Sequence, residues 1–350
     1  MSDKSNQPSE NNMDRRNLLK GLATVPVFGL FLVNLWRKMR RDSLMKSNLL
    51  SDLVQEKSAP AVISSLSDSS HLNIGIIGYG GRGSHRVRGA GFATKGWTDT
   101  VAENARKNKL DNGFTTFMSQ EDLNCSLVGV CDLFDVRANQ AIDASKNETR
   151  PGGKPQGSAN RYRHYKDLLA DDKIDAVIVA TPDHWHSRIT IDAAKAGKHV
   201  YCEKGLTRTF DEAVDVYDTV KETGITFQLG HQNRQVEANE KAKQIIKQGL
   251  LGPINLVEIA TNRNSPWGAW VWGIHPEGNA KTIDWDTFQE PSPNKIPFGE
   301  EALKRFFRWR MWFDYGTGLS GDLLSHDFDA INQMMDIGIP KYASSTGGIY

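Results

Sequence analysis

The sequence predicts an α/β protein built on an open, doubly wound parallel sheet. Two observations carry that expectation. From residue 72 onward, short apolar runs alternate with helix-patterned stretches, the pattern of parallel strands joined by crossover helices. The first run, in LNIGIIGYGGRGSH, flows straight into a glycine-rich turn. In such sheets the carboxyl ends of the strands form the ligand crevice, so the residues just after each run carry the functional information.

The first strand is expected over Asn73 to Ile77. It runs into Gly78, Gly80 and Gly83 at G-x-G-x-x-G spacing, with Gly81 and Arg82 in the same turn and a helix beyond. The first glycine makes the tight turn, the second lets backbone approach a pyrophosphate, and the third packs helix on strand. The helix N-terminus then offers amide donors to the anion. The pattern predicts a Rossmann dinucleotide site.

The second strand, SLVGVCD, ends on Asp132. A carboxylate there accepts the adenosine ribose hydroxyls and favours NAD over NADP; a plain solvent-facing carboxylate is the alternative reading. About 50 residues separate it from Gly83, where roughly 20 are usual. An insertion is therefore expected over 93–124, polar with a few aromatics, as a helical surface excursion. A helix at about 136–146 and the polar loop RPGGKPQG come after it. YKDLLADDKIDAVIVATPDHWHS next gives a short helix, a strand from Ile174 to Ala180, and a strand-end loop with Thr181, Pro182, His184 and His186 as cofactor candidates.

After the helix ITIDAAKAG, a strand over His199 to Cys202 stops on Glu203 and Lys204, read as an ion pair followed by Gly205. Its position puts both residues on the edge that carries the glycine loop; a helix-capping surface pair is the other reading. TFQLGHQN is a further strand leading to Gln232, Asn233 and Arg234, which places a domain boundary near 233. The helix EANEKAKQIIKQG and a strand in INLVEIATNR come next. Trp267, Trp270, Trp272, Trp309 and Trp312 suit the apolar C–H faces of sugar rings, or else a core or subunit interface.

The chain of 350 residues is 39% hydrophobic and 24% charged, enough for two ordinary domains. Its 43 Lys and Arg nearly balance 42 Asp and Glu, so it carries no electrostatic footprint for nucleic acid. Cys125, Cys131 and Cys202 are too few and too irregular for a disulfide framework or a zinc site. His184 and His186 lack a carboxylate constellation, and no metal is expected.

Ahead of the folded region, Arg15 and Arg16 precede an apolar run from about Gly21 to Trp36, followed by RKMRR. DRRNLLK resembles a twin-arginine export motif. The expectation is an exported, periplasmic protein with membrane association through this segment; a basic-flanked anchor on a cytoplasmic protein is the alternative. The expected organisation is signal or anchor over 1–41, polar linker over 42–70, nucleotide-binding domain over 71–232, and a substrate and oligomerisation domain over 233–350 that stops short of a completed sheet.

Four stretches together, IGYGGRG, ATPDHWHS, AGKHVYCEKG and GDLLSHDFD, resemble the glucose-fructose oxidoreductase, inositol dehydrogenase and rhizopine-catabolism (Gfo/Idh/MocA) family. The resemblance covers about residues 71–350. It implies a second α/β domain with a large, mostly antiparallel sheet, a homo-oligomer, and NAD(P)-linked chemistry on sugars, inositols or their derivatives. It also implies that Lys204 bridges substrate hydroxyl and nicotinamide, while Asp322 and His326 bind and deprotonate the hydroxyl. Gly205 stands where the family has proline, which removes a fixed φ.

The residues support the same chemistry directly. Oxidising a secondary alcohol needs a proton acceptor, and histidine titrates near neutrality. Asp322, His326 and Asp329 are spaced to share one helix face, so Asp322 can orient the imidazole or bind a neighbouring hydroxyl. The substrate candidates are Lys204, Asn233, Arg234, Trp270, Asp322 and His326. Three activities fit: net oxidation of a sugar, inositol or glycoside; redox-neutral glycoside cleavage by oxidation and elimination; or non-catalytic NAD holding.

Overall fold

The computed structural model describes residues 71–148, 157–261, 263, 268–338 and 340–346, together with Met39. The twin-arginine-like segment, the linker and Trp267 lie outside the described residues. Those from 71 onward belong to one compact unit. Among the described residues no helix is long and apolar enough to cross a membrane.

Six parallel strands form the sheet: β1 (Leu72–Ile77), β2 (Cys125–Cys131), β3 (Asn160–Tyr162), β4 (Ala176–Val179), β5 (His199–Glu203) and β6 (Phe227–Gly230). Their order is β3-β2-β1-β4-β5-β6, all parallel, so the order reverses between β1 and β4. That switch point is where an open α/β sheet leaves room for a ligand.

The crossovers are α1 (Gly81–Gly89), α2 (Lys95–Lys107), α3 (Gly113–Met118), α4 (Asp135–Ser145), α5 (Tyr165–Leu169), α6 (His186–Lys195) and α7 (Phe210–Thr223). The expected insertion is α2 and α3, held to one another by the edge-to-face pair Trp97 and Phe117. One side of the sheet buries Ile76, Val87, Leu127, Val130 and the alanine face Ala138, Ala141 and Ala144 of α4. The other buries Ile77, Leu168, Val177, Val179 and Ile189. Each large aliphatic side chain removed from water contributes about 1.5–3 kcal/mol.

The rest of the chain supplies α8 (Glu237–Lys247), α9 (Trp285–Phe288), α10 (Glu300–Phe307) and α11 (Ser325–Met335). A third cluster, Phe134, Ile283, Trp285, Phe288, Phe306, Phe307 and Tyr315, forms beyond the carboxyl end of β2. It is tied there by a single antiparallel bridge, Phe134 to Ile283.

Two expectations need correcting. β3 is too short and polar to stand out in the sequence. Conversely, 254–261 forms no strand, and Leu256, Val257 and Ile259 stay exposed. A strand needs a neighbouring ladder to satisfy its backbone, and no described strand lies beside it. No antiparallel sheet occurs among the described residues.

Candidate active site

A cavity of about 720 Å³ opens at the carboxyl end of the sheet. Its floor is the turn after β1. Gly78 has φ +88°, and a Cβ on it would lie 2.8 Å from the Ala180 carbonyl oxygen. A Cβ on Gly83 would lie 2.0 Å from the Gly78 carbonyl oxygen, which is how closely α1 packs on the turn. Gly80, Gly81 and Arg82 line the cavity, and no heavy atom would come within 4 Å of a Cβ on Gly81. This is a backbone cradle open to an anion at a helix N-terminus.

Asp132 lines the same cavity at the end of β2. It is buried, and its carboxylate accepts from the Tyr79 amide at 2.6 Å and the Phe134 amide at 2.8 Å. Burial raises its pKa, with the Arg137 guanidinium opposing. Arg137, which sequence reading missed, forms a cavity wall and lies 5.5–5.8 Å from the ring centroids of Phe134, Phe306 and Phe307. Its place five residues after Asp132 was the available signal.

Glu203 and Lys204 do not pair with each other. Glu203 Oε1 accepts from Arg86 Nε at 2.7 Å and Arg82 Nη2 at 3.2 Å. Burial would raise its carboxyl, but the two guanidiniums outweigh it and hold the pKa below the usual carboxylate range. Lys204 Nζ donates to the Asp322 carbonyl at 2.6 Å and to Asp322 Oδ1 at 2.5 Å. Arg310 Nε reaches the same oxygen at 2.9 Å. Here too burial pushes the Asp322 carboxyl up, and Arg310 and Lys204 overcome it, leaving the pKa lowered. The Lys204–Gly205 peptide is cis.

Asp322 stands on a π-helical turn, Ser320–Leu324, that runs directly into α11; such widened turns are frequent at functional sites. His326 joins Asp322 and Lys204 in lining the cavity. Asp322 is committed to the two cations and makes no hydrogen bond to the imidazole. Burial first, then Lys204, His231 and Arg82, depress the His326 pKa against the pull of Asp322, so the ring is a neutral proton acceptor at neutral pH. Trp270, Trp272 and Trp309 form the far wall, with the Arg310 guanidinium 4.1 Å from the Trp309 ring centroid.

Four predicted residues are placed elsewhere. His184 is buried among Phe288 and Tyr315, with Nε2 bonded to the Phe288 carbonyl at 2.8 Å. His186 begins α6, and its nitrogens lie 2.8 Å from the Gly205 and Thr181 carbonyls, so it braces two strand-end loops from behind. Arg234 turns away to a two-oxygen contact with Asp329 at 2.7–2.9 Å. Asn233 is not in the lining, where its neighbour Gln232, held by Arg82, takes the place. Thr181 and Pro182 do line the cavity.

The cradle fits a dinucleotide on two further counts: Thr181 Oγ1 and Glu203 Oε2 are buried without a hydrogen-bond partner, and buried polar atoms are ordinarily satisfied. A glycine cradle at the switch point of a parallel sheet, with an acidic residue ending the neighbouring strand, defines a dinucleotide-binding Rossmann protein. Residues 72–231 match the model of the Gfo/Idh/MocA family, described as an oxidoreductase family with an NAD-binding Rossmann fold. Its cofactor is NAD.

The chain is 39% identical over 204 residues to a levoglucosan dehydrogenase of Pseudarthrobacter phenanthrenivorans, covering 55% of this chain and 43% of that protein. It is 26% identical over 203 residues to an alpha-N-acetylgalactosaminidase of Shewanella oneidensis, covering 57% and 42%. The chain thus spans less than half the length of these relatives. Among solved structures, an oxidoreductase domain protein from Kribbella flavida is similar at 22% identity and a TM-score of 0.44, covering 77% of this chain and 55% of that one.

Proposed function

We propose that this protein is an NAD-dependent oxidoreductase acting on a secondary hydroxyl of a sugar, inositol or glycoside. The observation that carries the reading is one cavity shared by the glycine cradle, Lys204, Asp322 and His326. Gly78, Gly80, Gly81, Arg82, Asp132 and Thr181 would hold the dinucleotide, which when bound accepts a hydride from the carbinol carbon. His326, neutral at working pH, takes the hydroxyl proton. Lys204 donates to the same oxygen and stabilises negative charge developing there, while Asp322 fixes its ammonium. Trp270, Trp272 and Trp309 offer apolar faces to a sugar ring.

The second reading is redox-neutral glycoside cleavage, favoured by the similarity to a protein named as a glycosidase. Incubating the NAD-loaded protein with a glycoside panel separates the cases. Net oxidation accumulates reduced nicotinamide; redox-neutral cleavage releases aglycone without it; bound NAD with neither outcome leaves a cofactor-holding protein. In a responsive substrate, Lys204→Met and His326→Gln should each lower turnover about 100-fold or more while NAD binding persists. Wild-type turnover in both variants would refute the assignment. The same proposal includes export with NAD already bound, resting on Arg15 and Arg16.

A further inference from the structure

The second histidine beside the cavity, His231, has no part in the chemistry above. It closes β6, where its ring meets that of His326 edge to face at 5.5 Å between centroids. The Nδ1 atoms of both rings are buried and without a hydrogen-bond partner. Behind His231, its Nδ1 lies 3.9 Å from Asp329 Oδ2. Asp329 in turn holds Arg234. Exposure rises along this row, from 13% and 15% for the His231 and Asp329 side chains to 50% for Arg234. His326 lines the cavity at the inner end.

We propose that His231 is a positioning residue for His326, and that it receives the substrate proton from His326 and passes it by way of Asp329 to solvent. The inference rests on His326 being the proton acceptor of the proposed function. A half-buried base beside a lysine must be emptied each cycle, and the cavity-side carboxylates near it are already taken, Asp322 by Lys204 and Arg310 and Glu203 by Arg82 and Arg86. In the step, the substrate O–H bond breaks as an N–H bond forms on His326. That proton then leaves as an N–H bond forms on His231, which releases one to the Asp329 carboxylate and from there to water. No electrons enter or leave the row.

Charged and titratable groups bear on the pair from every side. Lys204, Arg82 and Asp322 act on His326, and Asp329, Arg234, Lys204 and Glu203 act on His231. Burial is the largest influence on both rings and lowers both pKa values. Because the rings touch, protonating one disfavours protonating the other.

The test is histidine side-chain NMR titration of the full NAD-loaded chain, with pH–rate profiles on a responsive substrate, for wild type, His231→Gln, Asp329→Asn and His326→Gln. In His231→Gln the like-charge neighbour is gone. His326 should then titrate at higher pH in a single step, the acid limb of the rate profile should move up with it, and turnover should fall about 10-fold, less than for loss of the base itself. In Asp329→Asn, which keeps both rings, the His231 titration should move down. A His326 titration in His231→Gln that superimposes on wild type, or a His231 titration unmoved in Asp329→Asn, overturns the relay while leaving the base assignment standing. Wild-type turnover in His326→Gln overturns the base assignment itself, and the relay with it.

Discussion

Replacing His184 with Phe separates a structural histidine from a cofactor ligand. His184 is buried, and burial pushes its pKa down from 6.5 to about 3. The unfolded chain therefore takes up a proton near pH 6.5 that the folded protein refuses until about pH 3. Across that window the unfolded state binds one more proton, so stability falls with falling pH by about 1.4 kcal/mol per unit. Between pH 6 and pH 4 this residue alone should remove roughly 3 kcal/mol, a large part of an ordinary folding free energy. Phenylalanine cannot take up that proton. It also leaves the Phe288 carbonyl paired, because Trp185 Nε1 donates to the same oxygen at 3.0 Å, so the change should cost only about 1 kcal/mol at pH 7. Urea unfolding at pH 7, 6, 5 and 4 should show a shallower acid loss in the variant and a crossing of the two curves. NAD affinity should stay near wild type, since His184 does not line the cavity. Parallel stability curves, or a tenfold loss of NAD affinity, would refute the argument.

Gly83→Ala should weaken NAD binding at least tenfold and destabilise the fold by roughly 1–3 kcal/mol, because its Cβ would meet the Gly78 carbonyl oxygen and push α1 off the turn; calorimetric titration and a thermal melt measure both. NAD should bind more tightly than NADP, as the Asp132 carboxylate repels a 2′-phosphate; equal or tighter NADP binding in parallel titrations would remove Asp132 from the ribose site. If the protein is exported folded, NAD should co-purify and survive dialysis, which requires nanomolar-scale affinity, about 12 kcal/mol. Protein that emerges empty and turns over only with added NAD would count against that reading.

Much of the nucleotide-binding half is legible in the sequence. Ile74, Ile76 and Ile77 run into Gly78 and Gly80, and such a run ending on glycines has few other folded solutions. The alternation of strand and helix then predicts a parallel sheet, and it puts Asp132, Glu203 and Lys204 on one edge without any tertiary contact being known. Local periodicity can do this because it reports which face of an element is buried.

It does not report what that face is buried against. Glu203 and Lys204, adjacent in sequence, look like partners, yet the fold sends one to Arg82 and Arg86 and the other to Asp322, 118 residues away. His184 and Arg234 stand in promising loops, but one is taken up by an aromatic cluster and the other by Asp329. The place of Arg310 in the cavity wall, the choice of Gln232 over Asn233 and the His231–His326 contact are not legible in the sequence for the same reason. The sequence by itself determined the parallel sheet, the glycine cradle and the residue types available for chemistry, since these arise from steric and apolar patterns within short windows. Only the tertiary structure decided which charges meet, which histidines are neutral and which side chains face the cavity, because ion pairing and desolvation depend on distances and burial between groups far apart in the chain.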